Sequence, residues 1–205
     1  MLCTVESSRK CYQRSRLRDA RRIAESESLH HRYPLGFMFI IFIHGKESDP
    51  KNSTKAQEIQ DRFPESIVAV PDYRPKERTF EEIDEFFENY FGRIPFLHNK
   101  VLYIIGSSLG GYWALKWASQ LNASGCILLN PSLNYYGQPP TRVPSLPVTL
   151  LVCKDDNVVD PKFAVEFFTG NAKVVIFETG GHRMENTEEM LAEIEKAISS
   201  HCVDL

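Results

Sequence analysis

Six short runs of consecutive apolar, β-favouring residues recur along the chain. Continuous apolar runs of this length are typical of strands that are buried on both faces of a parallel sheet. The predicted strands lie at residues 37–43, 67–70, 101–105, 126–129, 148–153 and 174–177.

Helical patterns fill most of the intervals between these runs. In the clearest case Thr79 is followed by Glu82, which is a capping-box pattern, and apolar residues then recur at i, i+3 and i+4 spacing. Another helix is expected after Asp160, which is predicted to cap it, with Pro161 in the first turn. The predicted helices lie at residues 53–63, from 79 onward, 109–121, 162–168 and 185–199.

Regular alternation of strands and helices predicts an α/β fold. Successive βαβ units build a parallel sheet with helices on both faces, so we expect about six mainly parallel strands. Ligands of such sheets bind beyond the carboxyl ends of the strands. The loops that follow the strands are therefore where candidate chemistry is sought.

The third predicted strand ends in a G-x-S-x-G sequence, from Gly106 to Gly110, with Ser108 at its centre. This pattern, between a buried strand and an amphipathic helix, is typical of a sharp turn that projects a nucleophilic serine. The start of the following helix directs backbone N–H groups and a positive dipole end toward a developing anion. Ser108 is therefore the candidate nucleophile.

A serine hydroxyl needs a base, and the base needs an acid to orient it. His182 follows the sixth predicted strand in a Gly-rich loop and is the candidate base. The acid is expected after the fifth strand, where Asp155 and Asp156 are adjacent. Asp156 is the preferred candidate and Asp155 the alternative. The order serine, acid, histidine along the chain favours this arrangement.

An oxyanion hole requires two backbone N–H groups near the nucleophile. The residue after the nucleophile, Leu109, is expected to supply one, and the loop after the first strand the other. The candidate in that loop is Lys46, within His44-Gly45-Lys46. The Lys46 side chain could also attract an acidic substrate, although a solvated lysine is the simpler interpretation.

The first 36 residues differ in composition from the rest of the chain. They hold eight basic and four acidic residues, a formal charge of +4 in a chain of net charge −3, with few large apolar side chains. Such segments bury too little apolar surface to pack. We predict a basic, disordered extension over residues 1–36 and one domain over residues 37–205, with Met38 as a possible start of the working protein. A transit peptide and a nucleic-acid-binding arm are the alternatives for the extension.

Composition narrows the class of protein further. The 205 residues are 42% hydrophobic and 25% charged, as in ordinary globular domains. Five scattered cysteines without a CxxC pair predict reduced thiols and a cytoplasmic protein, with no metal site. The longest apolar run, residues 35–43, is shorter than the ~20 residues of a membrane helix. The mildly acidic net charge of the chain gives no general attraction to nucleic acid. The sequence predicts no particular oligomeric state.

Taken together, the motifs resemble those of the YqiA-like esterases, a family of short α/β-hydrolases. The matching segments, within about residues 38–200, read FIHGKESDPKNSTKA, PDY, IGSSLGGYWAL, LLNPSLNYY, LLVCKDDNVVD and GGH. The resemblance implies an α/β-hydrolase fold in which the 131–146 loop is a minimal cap. It also implies Ser108 as nucleophile, Asp156 as acid and His182 as base, without a cofactor. Lys46 departs from the family, in which an apolar or aromatic residue often follows the HG dipeptide.

We therefore expect a serine hydrolase that cleaves a small-molecule carboxylic ester, or a thioester, through an acyl-enzyme. Leu133, Tyr135 and Tyr136 are expected to line one wall of an open site. Two other functions are compatible with the same residues. One is a non-catalytic binding module, and the other is an acyltransferase or peptidase that uses the same three side chains.

Overall fold

The computed structural model of the protein describes residues 38–94 and 101–201. The extension predicted over residues 1–36 lies outside these ranges and stays a prediction. The described residues form a six-stranded sheet in the order β2-β1-β3-β4-β5-β6, and every neighbouring pair is parallel. The strands are β1 (Met38–Ile43), β2 (Ile67–Ala69), β3 (Val101–Ser107), β4 (Gly125–Leu129), β5 (Val148–Cys153) and β6 (Lys173–Phe177). The predicted α/β class is confirmed.

Within the described ranges, five helices cover the two faces of this sheet. They are α1 (Thr54–Arg62), α2 (Phe80–Phe91), α3 (Leu109–Gln120), α4 (Pro161–Phe168) and α5 (Thr187–His201). Buried residues of α2, α3 and α4 pack on one face, and those of α1 and α5 pack on the other. Thr79 and Glu82 form the expected capping box of α2, and Asp160 caps α4 through the N–H of Lys162.

The last helix begins later than its apolar pattern predicts. We expected a start at residue 185, but α5 begins at Thr187. The backbone first turns through Met184, which has a positive φ of 51°, and the N–H of Glu185 donates to the carbonyl of Gly180. The residues before the helix thus close the loop that carries His182, rather than forming helical turns.

Helix α3 is held against the sheet by an aromatic cluster. Trp113 is completely buried and contacts Phe80 and Phe87 of α2, with ring centroids 5.0 and 5.5 Å away. Aromatic pairs at such separations add about 0.5–1.5 kcal/mol each to the area they bury. This packing fixes the helix whose first turn lies beside Ser108.

The candidate site residues all lie at the carboxyl end of the sheet. Ser108 follows β3, the Asp155-Asp156 pair follows β5, and His182 follows β6, all at carboxyl ends. The segment between β4 and β5, residues 130–147, contains neither helix nor strand, so the expected minimal cap is present. In the described part of the chain, no helix is both long and apolar enough to cross a membrane.

Candidate active site

Ser108 occupies a strained turn between β3 and α3. Its backbone has φ 53° and ψ −122°, in a region that residues with a Cβ rarely adopt. Its N–H donates to the carbonyl of Leu129, and its carbonyl accepts from the N–H groups of Gly111 and Ser132. The strained conformation is therefore held by backbone hydrogen bonds on both sides.

The glycines of the G-x-S-x-G sequence permit a close approach of backbones. A Cβ on Gly110 would overlap the carbonyl of Ile43 and lie 2.5 Å from that of His44. A Cβ on Gly106 would lie 2.5 Å from the Cβ of Ala114. Only glycine lets the first turn of α3 lie against the ends of β1 and β3, and this contact brings the helix N-terminus to Ser108.

A continuous chain of hydrogen bonds joins Ser108, His182 and Asp156. Nε2 of His182 lies 3.0 Å from Oγ of Ser108, and Nδ1 lies 2.8 Å from Oδ2 of Asp156. A carboxylate only accepts, so Nδ1 carries the proton and Nε2 is free to accept the serine proton. The imidazole side chain is 20% exposed, whereas that of Asp156 is 1% exposed.

The two adjacent aspartates have different partners. Oδ1 of Asp156 accepts from the N–H groups of Val158 and Val159, at 2.8 and 2.9 Å, while Oδ2 contacts the imidazole. The carboxylate of Asp155 instead accepts from the N–H groups of Gly180 and Gly181, at 3.2 and 2.8 Å. Asp156 thus contacts the histidine ring, and Asp155 holds the backbone of the histidine loop.

Asn130, which the sequence did not single out, joins the loops that carry the acid and the histidine. Its Oδ1 accepts from the N–H of Cys153 at 2.8 Å, and its Nδ2 donates to the carbonyls of Gly181 and His182 at 2.9 and 3.3 Å. The residue is 3% exposed and has a φ of 42°, a conformation that asparagine tolerates better than most residues. Its signal in the sequence was a polar residue ending a buried strand beside β3.

A second missed residue holds the far side of the histidine loop. Nζ of Lys55, in the first turn of α1, donates to the carbonyl of Arg183 at 2.6 Å. Burial lowers the pKa of this ammonium group. In the sequence Lys55 looks like an ordinary helix-surface lysine, because its partner lies 128 residues away.

The segments that carry the two candidate oxyanion donors lie beside Ser108. Leu109 is the first residue of α3, so its N–H has no intrahelical partner. The neighbouring loop turns at Gly45, where an added Cβ would lie 3.2 Å from the Cβ of Ser108 and 3.8 Å from its Oγ. Lys46 follows within this turn, which the N–H of Ser48 closes by donating to the carbonyl of Gly45.

His44 supports that loop rather than joining the hydrogen-bond chain. Its Nδ1 donates to the carbonyl of Gly45 at 2.8 Å, and its own carbonyl accepts from the buried Tyr73 hydroxyl at 2.7 Å. The residue is 1% exposed, and its ring packs 4.7 Å from that of Tyr73. Burial lowers the pKa of His44, so its imidazole stays neutral at pH 7.

The expected wall residues in the loop after β4 divide into buried and exposed side chains. Leu133 is almost completely buried and belongs to the core, so it does not form an open wall. Tyr136 packs against Phe80 and Trp113. Tyr135 is 46% exposed, and its ring lies beneath the Lys46 ammonium, with Nζ 5.1 Å from the ring centroid.

A cavity of about 650 Å³ lies behind the acid loop, between α4 and the sheet. Asp156 and Val158 line it, but Ser108 and His182 do not, so it is not the space in front of the serine hydroxyl. Within residues 38–94 and 101–201, no group of three or more His, Cys, Asp or Glu side chains is arranged to hold a metal ion.

Comparison with known sequences shows the family to which the chain belongs. A model of the family described as "Uncharacterised protein family (UPF0227)" matches residues 39–142, about half of the chain. The chain belongs to this family. The UPF0227 match confirms the resemblance to the YqiA-like proteins. It includes Lys46 and Ser108 but ends before Asp156 and His182. No curated protein matches the chain significantly.

Solved structures with the α/β-hydrolase fold resemble this member of UPF0227. One, described as a hydrolase of the alpha/beta superfamily from Xanthomonas campestris pv. campestris, is 17% identical, with a TM-score of 0.62 and coverage of 82% of this chain and 99% of that one. Est1E from Butyrivibrio proteoclasticus is 15% identical, with a TM-score of 0.67 and coverage of 83% and 90%. A structure from a study of LipS and LipT, metagenome-derived lipolytic enzymes, is 14% identical, with a TM-score of 0.63 and coverage of 81% and 95%. These similarities establish the fold.

Proposed function

We propose that the protein is a serine hydrolase that cleaves carboxylic esters, thioesters included, through Ser108, His182 and Asp156. The observation that carries this proposal is the chain of hydrogen bonds from the Ser108 hydroxyl through the imidazole to the Asp156 carboxylate. The chain starts at a strained serine beside a helix N-terminus. This combination suits nucleophilic attack on a carbonyl carbon.

The proposed reaction begins with attack of Oγ on the substrate carbonyl. Nε2 of His182 accepts the serine proton, and Asp156 stabilises the imidazolium that forms. The tetrahedral intermediate collapses when the imidazolium returns the proton to the leaving alkoxide or thiolate, which leaves an acyl-enzyme. A water molecule, deprotonated by the same imidazole, then attacks the acyl carbon and releases the acid.

The backbone N–H groups of Leu109 and Lys46 are the proposed oxyanion donors. One belongs to the unsatisfied first turn of α3 and the other to the turn after Gly45, whose Cα lies against Ser108. A single donor of this kind is worth about 2.7–4 kcal/mol of transition-state stabilisation in other serine enzymes. The buried hydrogen bond from Tyr73 to the carbonyl of His44 keeps the second loop in place.

Two further observations support the proposal. Lipolytic enzymes occur among the proteins of similar fold, so the fold supports this chemistry. The short segment between β4 and β5 leaves the serine accessible to a small substrate.

The free, buried thiols of Cys126 and Cys153 are compatible with the proposed cytoplasmic location.

The proposal is tested by removing the hydroxyl of Ser108. Ser108→Ala should abolish both turnover of p-nitrophenyl esters and labelling by a fluorophosphonate probe, with an unchanged circular dichroism spectrum. The matched control is Ser107→Ala, which removes the adjacent hydroxyl and should retain labelling. Persistent labelling of the Ser108 variant would contradict the assignment.

The same assay separates the two alternative functions. A folded wild-type protein that neither labels nor hydrolyses any short ester would favour a non-catalytic binding module. Labelling together with preferential acyl transfer to an added alcohol or amine, rather than to water, would favour an acyltransferase. Cleavage of amide substrates at rates comparable to those of esters would indicate a peptidase.

A further inference from the structure

Lys46 is a half-buried lysine in the loop that packs against the nucleophile. Gly45, which precedes Lys46, packs directly against Ser108. On the other side, Tyr135 belongs to the loop whose Ser132 donates its N–H to the carbonyl of Ser108 at 2.9 Å. Nζ of Lys46 lies 5.1 Å from the centroid of the Tyr135 ring, so the ammonium bridges the two loops that flank the serine.

The Lys46 ammonium has no carboxylate partner among the described residues. No ion pair within 4.0 Å includes it, and the carboxylate of the next residue, Glu47, pairs with Lys76 instead. Asp49 accepts from the N–H of Lys51 and from the side chain of Asn52 within its own loop. The nearby acidic side chains are thus occupied by other partners, and the positive charge of Lys46 is not neutralised.

The ammonium remains charged at neutral pH. Its interaction with Tyr135 raises the pKa of Lys46, and the nearby charge of Glu47 adds to this effect. Its contact with the tyrosine face is a cation–π interaction at an exposed site, which is weak enough to be exchanged for a better partner. A carboxylate would be such a partner, because lysine binds anions as a compact point charge.

We propose that Lys46 selects esters that carry a carboxylate, whose negative charge pairs with the ammonium at the rim of the site. This inference rests on the proposed hydrolase function and names its substrate class. The carboxylate can belong to the acyl half or to the alcohol half of the ester.

Two pairs of esters test the proposal. Mono-p-nitrophenyl glutarate and p-nitrophenyl butyrate differ by a carboxylate in the acyl half, and p-acetoxybenzoate and p-acetoxybenzamide differ by one in the alcohol half. For each pair the ratio of kcat/KM, anionic over neutral, is measured in the wild type and in Lys46→Met. The ratio isolates the charge effect, because any change in the Lys46 backbone amide affects both esters of a pair.

We expect the ratio of at least one pair to fall about 1.5-fold to fivefold in Lys46→Met, which is the range for an exposed ion pair. Lys46→Arg should restore the ratio, because it restores the positive charge. Lys51→Met removes a lysine from the same loop and should leave the ratio unchanged. Raising the salt from about 0.02 M to about 0.5 M should lower the wild-type ratio but not that of Lys46→Met.

An unchanged ratio in Lys46→Met for both ester pairs would overturn the inference and leave the serine chemistry intact. Loss of the preference for anionic esters in Arg183→Met but not in Lys46→Met would also overturn the inference. The exposed arginine beside His182 would then be the cation that selects the substrate. If the folded wild type neither reacts with the fluorophosphonate probe nor hydrolyses any short ester, the proposed function fails, and the inference fails with it. Labelling by the probe without hydrolysis of either anionic ester would overturn the inference alone.

Discussion

Replacement of Asn130 by aspartate would test whether the histidine loop is positioned by a buried amide. The change preserves the size of the side chain and the oxygen that accepts from Cys153. It replaces the Nδ2 group, which donates to the carbonyls of Gly181 and His182, with a second acceptor. Two carbonyl oxygens then face an oxygen instead of a donor. The positive φ of 42° remains tolerable, because aspartate also adopts this region.

The stability loss can be estimated from the hydrogen bonds removed. A typical hydrogen bond contributes about 1 kcal/mol, and a buried acceptor left without a partner costs about 1–3 kcal/mol. With two acceptors affected at a site 3% exposed, we expect Asn130→Asp to lower the free energy of unfolding by about 2–4 kcal/mol. For a domain of this size this corresponds to a fall in Tm of about 5–15 °C.

The effect on activity should exceed the effect on folding. A misplacement of about 1 Å in a catalytic group can cost about 100-fold in rate. Well below the Tm of the variant, we therefore expect kcat for p-nitrophenyl butyrate to fall about 10- to 100-fold, with a much smaller change in KM. Labelling by the fluorophosphonate probe should slow in parallel.

The pH dependence of the stability loss in Asn130→Asp provides an independent check. A carboxyl group buried beside two carbonyls is expected to have a raised pKa, so it takes up a proton as the pH falls toward 5. Once protonated it donates a hydrogen bond again. The Tm difference between wild type and Asn130→Asp should then be smaller at pH 5 than at pH 7.

The matched control is Asn134→Asp, which makes the same substitution at an exposed position of the same loop. It should retain the wild-type Tm and labelling rate. Equal losses in the two variants, or a wild-type kcat in Asn130→Asp, would refute the positioning role of Asn130.

Three other changes test separate parts of the site. Gly110→Ala forces a methyl group into the carbonyl of Ile43. We therefore expect the free energy of unfolding in urea to fall by about 3 kcal/mol and labelling by the fluorophosphonate probe to be lost, whereas a wild-type unfolding curve would argue against the close contact. Asp156→Asn should reduce kcat about 10⁴-fold, whereas Asp155→Asn should reduce it less than about tenfold. A larger loss in Asp155→Asn than in Asp156→Asn would instead make Asp155 the acid that supports His182. Burial lowers the pKa of His44, so its contribution to stability is complete above pH 6.5 and is lost as the pH falls toward the folded-state pKa; His44→Leu should show a flatter dependence of Tm on pH.

Much of the fold could be predicted from the sequence because its signals are local. The apolar runs gave six strands in positions close to those of the structure, and the Thr79 and Asp160 caps were recognisable from residues three or fewer positions away. The start of α5 was misjudged at residue 185, because a turn stabilised by Gly180 and Gly181 carries no distinct pattern in the residues that follow.

The candidate site was partly predictable for the same reason. Ser108 lies in a local motif, and His182 was distinguished by its place after the last strand. The choice between Asp155 and Asp156 depends on the direction in which one turn points two adjacent carboxylates, and the sequence left both open. In the structure, Asp156 contacts the imidazole, and Asp155 contacts the backbone of Gly180 and Gly181.

The residues that hold the histidine loop were missed because their partners are backbone carbonyls far along the chain. Asn130 reaches residues 51 and 52 positions away, and Lys55 reaches Arg183 across 128 positions. A backbone carbonyl is present at every residue, so the identity of the partner leaves no trace in the sequence. Side chains of this kind become recognisable only when the sheet order places their strands and loops together. In a parallel sheet they are best sought among polar residues that directly follow buried strands, as Asn130 follows β4 beside the strand that leads to the nucleophile.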